Sequence, residues 1–279
     1  MSEKEDIQNK IIQLYIDKFK KYEGGLNLCS PLIPRISDEF LKNRIVVVGQ
    51  ETNTWYNPHR DELKSVFVNN IDNIQEIKNQ CLNKRYDHFI KNTANIYGGK
   101  FWTFTRLLYK EEIIPGEMVT DFYLSHCWIN FFAVESCESK KDHNGRPTKN
   151  FNLRNQVLEL QGNLLAQILK LLKPKLIIFL TGPSLDWFLM SKVLQVKSYK
   201  FSTVDENEIL SERVLGRLKI LDQNHFLNDV TMIRAYHPTY FMSRINVQKK
   251  MNEKIVGKNM FQSNASYYTD TLIKVLKKT

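Results

Sequence analysis

The run Arg44-Ile45-Val46-Val47-Val48-Gly49-Gln50-Glu51 decides how this chain reads. A continuous β-branched stretch closed by glycine is the pattern of a strand buried on both faces, with its carboxyl end opening into a loop. That loop, Gln50-Glu51-Thr52-Asn53-Thr54-Trp55-Tyr56, is polar and carries a carboxylate. Open parallel sheets bind ligands beyond the carboxyl ends of their strands, so Glu51 is the first candidate for chemistry.

Working outward, Cys127-Trp128-Ile129-Asn130-Phe131-Phe132-Ala133 reads as a second strand. Leu153, Val157, Leu160, Leu164, Ile168 and Leu171 recur in steps of three and four, predicting one long amphipathic helix ended by Pro174. A third strand follows at residues 175–180 and runs into Thr181-Gly182-Pro183-Ser184, where the proline suits the first turn of a helix. The fourth, Thr231-Met232-Ile233-Arg234-Ala235-Tyr236, ends in His237-Pro238. Upstream, Ile7, Ile11, Tyr15 and Phe19 mark a helix ending near Gly24-Gly25, part of a helical extension over about residues 1–40. A short helix is expected at residues 103–108, after the Gly98-Gly99 turn, and residues 217–221 suggest a β-hairpin. The expected fold is α/β, an open, mostly parallel four-stranded sheet flanked by helices, in a single domain covering residues 1–279.

Composition bounds the function. No stretch approaches the roughly 20 apolar residues of a membrane span, and the N-terminus lacks the basic-then-apolar order of a signal peptide, so no membrane partner and a cytoplasmic location are expected. Cys29, Cys81, Cys127 and Cys137 are scattered and form no CxxC pair, which favours free thiols. His59, His88, His126, His143 and His225 have no metal-ligand spacing, so neither metal nor cofactor is expected. Lys and Arg number 40 against 30 Asp and Glu, a formal charge of +10 that suits a polyanion. Residues 139–149 contain Lys140, Lys141 and Arg146 with no apolar side chain, the pattern of an exposed basic loop. No obligate protein partner is evident.

A strand ending in Gly49-Gln50-Glu51 and a late strand ending in His237-Pro238-Thr239 resemble, in this order, the two catalytic motifs of the uracil-DNA glycosylase superfamily. Asn130 resembles the asparagine that reads the base there, and Leu180-Thr181-Gly182 the turn after the third strand. The resemblance spans about residues 44–245, and its two end motifs are its specific part. It implies a monofunctional glycosylase that everts a base from double-stranded DNA and leaves an abasic site.

Breaking the base–sugar bond develops positive charge on the sugar and negative charge on the base, so a fixed carboxylate and a hydrogen-bond donor are the natural catalysts. By resemblance Glu51 orients water and stabilises the sugar cation, with Asn53 as a second way to hold the water, and His237 hydrogen-bonds the departing base. Gln50 and Asn130 contact the base, and Phe101 or Trp102 gives it a stacking platform. Tyr240, Phe241 and Met242 stand where the family inserts an apolar wedge, with Arg244 and the basic loop on phosphates. The uracil-specific run is Gly-Gln-Asp-Pro-Tyr-His; here Thr52, Asn53 and Thr54 replace its last three residues. Loss of that tyrosine, which excludes 5-substituted bases, points to a larger pyrimidine, such as the modified cytosines of phage DNA targeted in antiviral defence. Uracil repair, a non-catalytic nucleic-acid-binding descendant and a nucleoside or nucleotide N-glycosidase remain the alternatives.

Overall fold

The computed structural model describes residues 1–52, 61–90, 99–115, 124–136, 146–204, 210–241 and 264–279. It begins with helix α1 (Glu3–Phe19), whose Ser2 and Glu5 form a reciprocal capping box that satisfies two otherwise orphaned N–H groups. Ile11, Ile12, Tyr15 and Phe19 of α1 are buried, and the Tyr15 hydroxyl donates to Leu32 O at 2.6 Å. After α2 (Asp38–Asn43) comes strand β1 (Ile45–Gly49), buried along its whole length as its β-branched run requires. Next come α3 (Ile74–Ile77), α4 (Lys100–Lys110), β2 (Cys127–Asn130), α5 (Phe151–Gln161), α6 (Leu164–Leu172) and β3 (Leu176–Phe179). Strands β4 (Tyr199–Thr203), β5 (Gly216–Ile220) and β6 (Thr231–Arg234) lead to α7 (Pro238–Phe241) and the C-terminal α8 (Asn264–Lys277).

The strands form one mixed sheet in the order β2-β1-β3-β6-β5-β4. Its first four members are the four strands expected from sequence, and they are all parallel. The expected four-stranded sheet is nonetheless corrected to six, because β5 pairs antiparallel with β6 and β4 antiparallel with β5. These two strands give a weak sequence signal for a physical reason. Along β5 buried and exposed residues alternate, and β4 has no buried residue, so neither shows the continuous apolar run of the parallel strands.

Side chains alternate across the sheet and feed two cores. Val46, Val48, Ile177 and Phe179 join the core that includes Ile11 of α1, Val157 of α5 and Ile168 of α6. Val47, Ile178 and Ile233 join the opposite one, with Phe104 of α4, Phe241 of α7 and Leu272 of α8. The single helix expected over residues 153–171 is in fact two. Gly162 adopts φ 52° and ψ −128°, a conformation costly for any residue with a Cβ, and breaks the chain between α5 and α6 while the apolar period continues through it. Among the described residues no helix is long and apolar enough to cross a membrane. Cys29, Cys81 and Cys127 are buried free thiols, and Cys137 lies outside the described residues.

Arg234, at the end of β6, is 1% exposed and ties the antiparallel extension to the parallel sheet. Its Nη1 and Nη2 donate to Arg213 O and Glu212 O at 2.8 and 2.7 Å, and its guanidinium lies 4.9 Å from the centroid of the Phe201 ring in β4. Asp186 Oδ1 approaches Nε at 3.2 Å, within ion-pair range but off the hydrogen-bond direction. Burial pushes this carboxyl up to about 6, with Arg234 and Arg213 pulling the other way. Removing one partner of a buried pair leaves the other uncompensated. Arg234→Ala is therefore expected to cost about 3–5 kcal/mol in urea unfolding; a loss below about 1 kcal/mol, the scale of an exposed pair, would contradict this role.

Candidate active site

Beyond the sheet's carboxyl edge lies a cavity of about 410 Å³, within the size range of small-molecule sites. Gln50 and Glu51 reach it from β1, Thr181, Gly182 and Ser184 from β3, and Tyr236, His237, Thr239 and Tyr240 from β6. The turn at residues 146–149 closes one side with Arg146, Thr148 and Lys149. Glu51 and His237, the two strand-end candidates, therefore line one cavity. The parallel strands place them there: Val48, Phe179 and Arg234 form one row across the sheet, and Glu51 and His237 each stand three residues past it.

Both carboxylate oxygens of Glu51 are held by one residue that sequence reasoning passed over. Thr148 donates its backbone N–H to Oε2 at 2.9 Å and its hydroxyl to Oε1. Burial pushes the Glu51 pKa up, while the Thr148 hydrogen bonds and the charges of Arg146 and Lys149 oppose the shift. Arg154, on α5, anchors the turn in its place by donating from Nε to Pro147 O at 2.9 Å and from Nη2 to Thr148 O at 2.8 Å. The described end of the expected basic loop is thus folded onto the carboxylate, with Pro147 buried. The only sequence signal for it was the proximity of Pro147 and Thr148 to the helix cap Asn150.

His237 is held as a neutral ring. Burial, with a smaller contribution from Arg146, pulls its pKa down to about 4. The Thr239 N–H points at Nδ1 from 3.3 Å, so Nδ1 accepts and Nε2 carries the proton. Phe101 stacks on the imidazole with centroids 5.9 Å apart and planes 21° from parallel, and it also packs against the rings of Trp102 and Trp128.

Other expected residues have different places. Gln50 lines the cavity and donates from its side-chain Nε2 to Thr181 O at 2.8 Å, tying the ends of β1 and β3. Asn130 is buried behind Gly49, accepting from Trp128 Nε1 at 3.1 Å, and its Nδ2 has no hydrogen-bond partner among the described residues. A Cβ on residue 49 would collide with Asn130 Oδ1, so glycine is required there for space. Trp102 is corrected from stacking platform to core residue: it is 4% exposed and packs edge-on against Trp128 at 4.8 Å. Phe241 is corrected from duplex wedge to core residue, because it is fully buried between Phe104 and Tyr268. Tyr240 does line the cavity, stacked on Tyr236 at 4.2 Å, an aromatic wall that sequence reasoning had only half identified. Asn53, Lys140, Lys141, Met242 and Arg244 lie outside the described residues.

Thr181 adds a ligand-facing signal. It lines the cavity with a buried hydroxyl that has no partner among the described residues, a group a bound molecule would satisfy. Compared with family models, curated proteins and solved structures, the chain matches none.

Two titrations follow. By NMR the His237 ring is expected to titrate near 4. Because the fold disfavours the charged ring, the stability this group contributes is complete above its ordinary value of 6.5 and is lost as pH falls toward 4. A midpoint near 6.5 would contradict the depression of this pKa by burial. Thr148→Val removes a hydrogen bond that favours the ionised carboxylate, so the Glu51 midpoint should rise; an unchanged midpoint would remove Thr148 from control of Glu51.

Proposed function

We propose that the protein is a monofunctional DNA glycosylase that hydrolyses the bond between deoxyribose and an everted pyrimidine. The observation that supports this most is the shared cavity, into which β1 brings a restrained carboxylate and β6 a neutral imidazole with its proton on Nε2. As the bond from the sugar C1′ to the base nitrogen breaks, its electron pair leaves with the base. The Nε2–H of His237 donates a hydrogen bond to the oxygen where that charge collects, and the Glu51 carboxylate stabilises the cationic sugar and orients the attacking water. Donors fixed before reaction need no reorganisation as charge develops. The water oxygen ends on C1′ with one of its protons, its other proton passes to solvent, and the departing base anion takes up one proton from solvent.

The positive charge of the chain supports a polyanionic substrate, with Arg146 and Lys149 at the cavity for phosphates. The preferred base in this reading is a bulky 5-substituted cytosine, as in modified phage DNA. That choice rests on Asn53 standing where the uracil-specific pattern has an excluding tyrosine. A cavity of about 410 Å³ is compatible with the added bulk.

Incubation with DNAs carrying uracil, mismatched thymine or modified cytosines, followed by mass analysis of released bases, tests the reaction and its target together. Glu51→Gln and His237→Ala are each expected to lower release by a factor on the order of 10² while DNA binding persists, the scale of losing one preorganised electrostatic group. Near-normal turnover in either variant removes that residue from the mechanism. Release of uracil alone overturns the choice of base but leaves the reaction standing.

A further inference from the structure

Phe151 and Trp187 are 62% and 58% exposed, the most exposed aromatic side chains among the described residues. They come from different elements, Phe151 opening α5 and Trp187 lying in the helical segment after β3, yet they form one ridge. The Arg154 guanidinium carbon lies 6.0 Å from the Phe151 ring centroid and 5.4 Å from that of Phe188. Phe188 meets Trp187 edge-on at 4.9 Å, and Lys192 Nζ lies 5.7 Å from the centre of the Trp187 ring. The ridge thus joins three aromatic rings to two cations, Arg154 and Lys192.

It also shares a frame with the cavity. Arg154 bonds the carbonyls of Pro147 and Thr148, and Thr148 in turn holds Glu51. Phe151 stands two residues past Lys149 and Trp187 three past Ser184, and both Lys149 and Ser184 line the cavity. The first turn of α5 is capped by the Asn150 side chain, which accepts from Leu153 N at 3.1 Å, and carries no acidic residue to neutralise the positive end of its dipole.

We propose that this ridge is a stacking surface for the bases of a nucleic-acid strand running past the mouth of the cavity. The inference rests on the glycosylase reading for the identity of its ligand, and it gives the bases an exposed aromatic contact that the buried Trp102 and Phe241 do not provide. Interleaved aromatic faces and cations match a ligand of flat π surfaces joined by phosphates. Aromatic and Arg side chains also occur at the centres of protein interfaces, but Lys is depleted there, and Lys192 on the Trp187 ring together with the chain's formal charge of +10 favours a polyanion.

The test uses the full chain with a labelled single-stranded oligonucleotide and a duplex carrying one unpaired base, with anisotropy read over a range of salt concentrations. The Phe151→Ala/Trp187→Ala double variant, whose exposed positions leave the core intact, should bind about tenfold or more weakly. Its salt dependence should be unchanged, since stacking releases no counterions, whereas Lys192→Gln should flatten the salt slope. Trp187→Phe should restore most of the affinity lost by Trp187→Ala. Wild-type affinity in the double variant overturns the ridge, as does a wild-type protein that binds neither probe, or loss in the double variant of self-association with nucleic-acid binding unchanged. Base release measured in parallel on the DNAs carrying uracil, mismatched thymine and modified cytosines separates the two ideas. Binding through the ridge without release of any base sinks the glycosylase reading and supports the ridge, and release that proceeds with binding indifferent to both aromatics sinks the ridge alone.

Discussion

The parallel pairing of β3 with β1 on one side and β6 on the other is the constraint on which the site depends. It aligns Val48, Phe179 and Arg234 in one row, and the three strands then leave the sheet together. The pairing continues past the row, with Leu180 N donating to Val48 O at 2.8 Å and Gly182 N to Ala235 O at 2.9 Å. A slip of one residue would turn every side chain of a strand to the opposite core, so the register is held by burial on both faces. Glu51 and His237 meet because of that register, although 186 positions separate them in the chain.

Around this scaffold the polar groups divide into those satisfied internally and those left for a ligand. Glu51, Thr148 and Arg154 form a continuous chain of hydrogen bonds that fixes the carboxylate by contacts within the chain itself. Phe101 and the Thr239 N–H fix the His237 ring in the same way. Thr181 Oγ1 and Asn130 Nδ2, by contrast, are buried without partners among the described residues, a costly state for a polar group in a closed core. Thr181 lies on the cavity wall, where a ligand atom can complete it. Arg154 serves both sides of the arrangement, holding the turn over Glu51 and spacing the aromatics of the surface ridge.

The parallel core was legible because strands buried on both faces need uninterrupted apolar runs, and the runs at Ile45–Gly49 and Leu176–Phe179 have no competing interpretation. Glu51 and His237 were legible for a related reason, since chemistry in such sheets gathers just past strand ends. What escaped depended on contacts distant in sequence. Thr148 is an unremarkable loop residue until α5 folds its turn onto Glu51, 97 positions away. Phe241 was expected as a wedge because it stands where the resembled family inserts one after its His-Pro motif. Its burial is decided by α4 and α8, which no local pattern near residue 241 reveals. The break at Gly162 was hidden because the apolar spacing continues across it.

The central claim is that water attacks C1′ of a nucleotide whose base occupies the Glu51–His237 cavity. The most direct measurement is the fate of oxygen from heavy-oxygen water when the protein acts on DNA carrying modified pyrimidines. The account predicts free base released in equal amount to abasic sites, with no heavy oxygen in the base. Heavy oxygen in the base, or no base released from any of the DNAs, would contradict it.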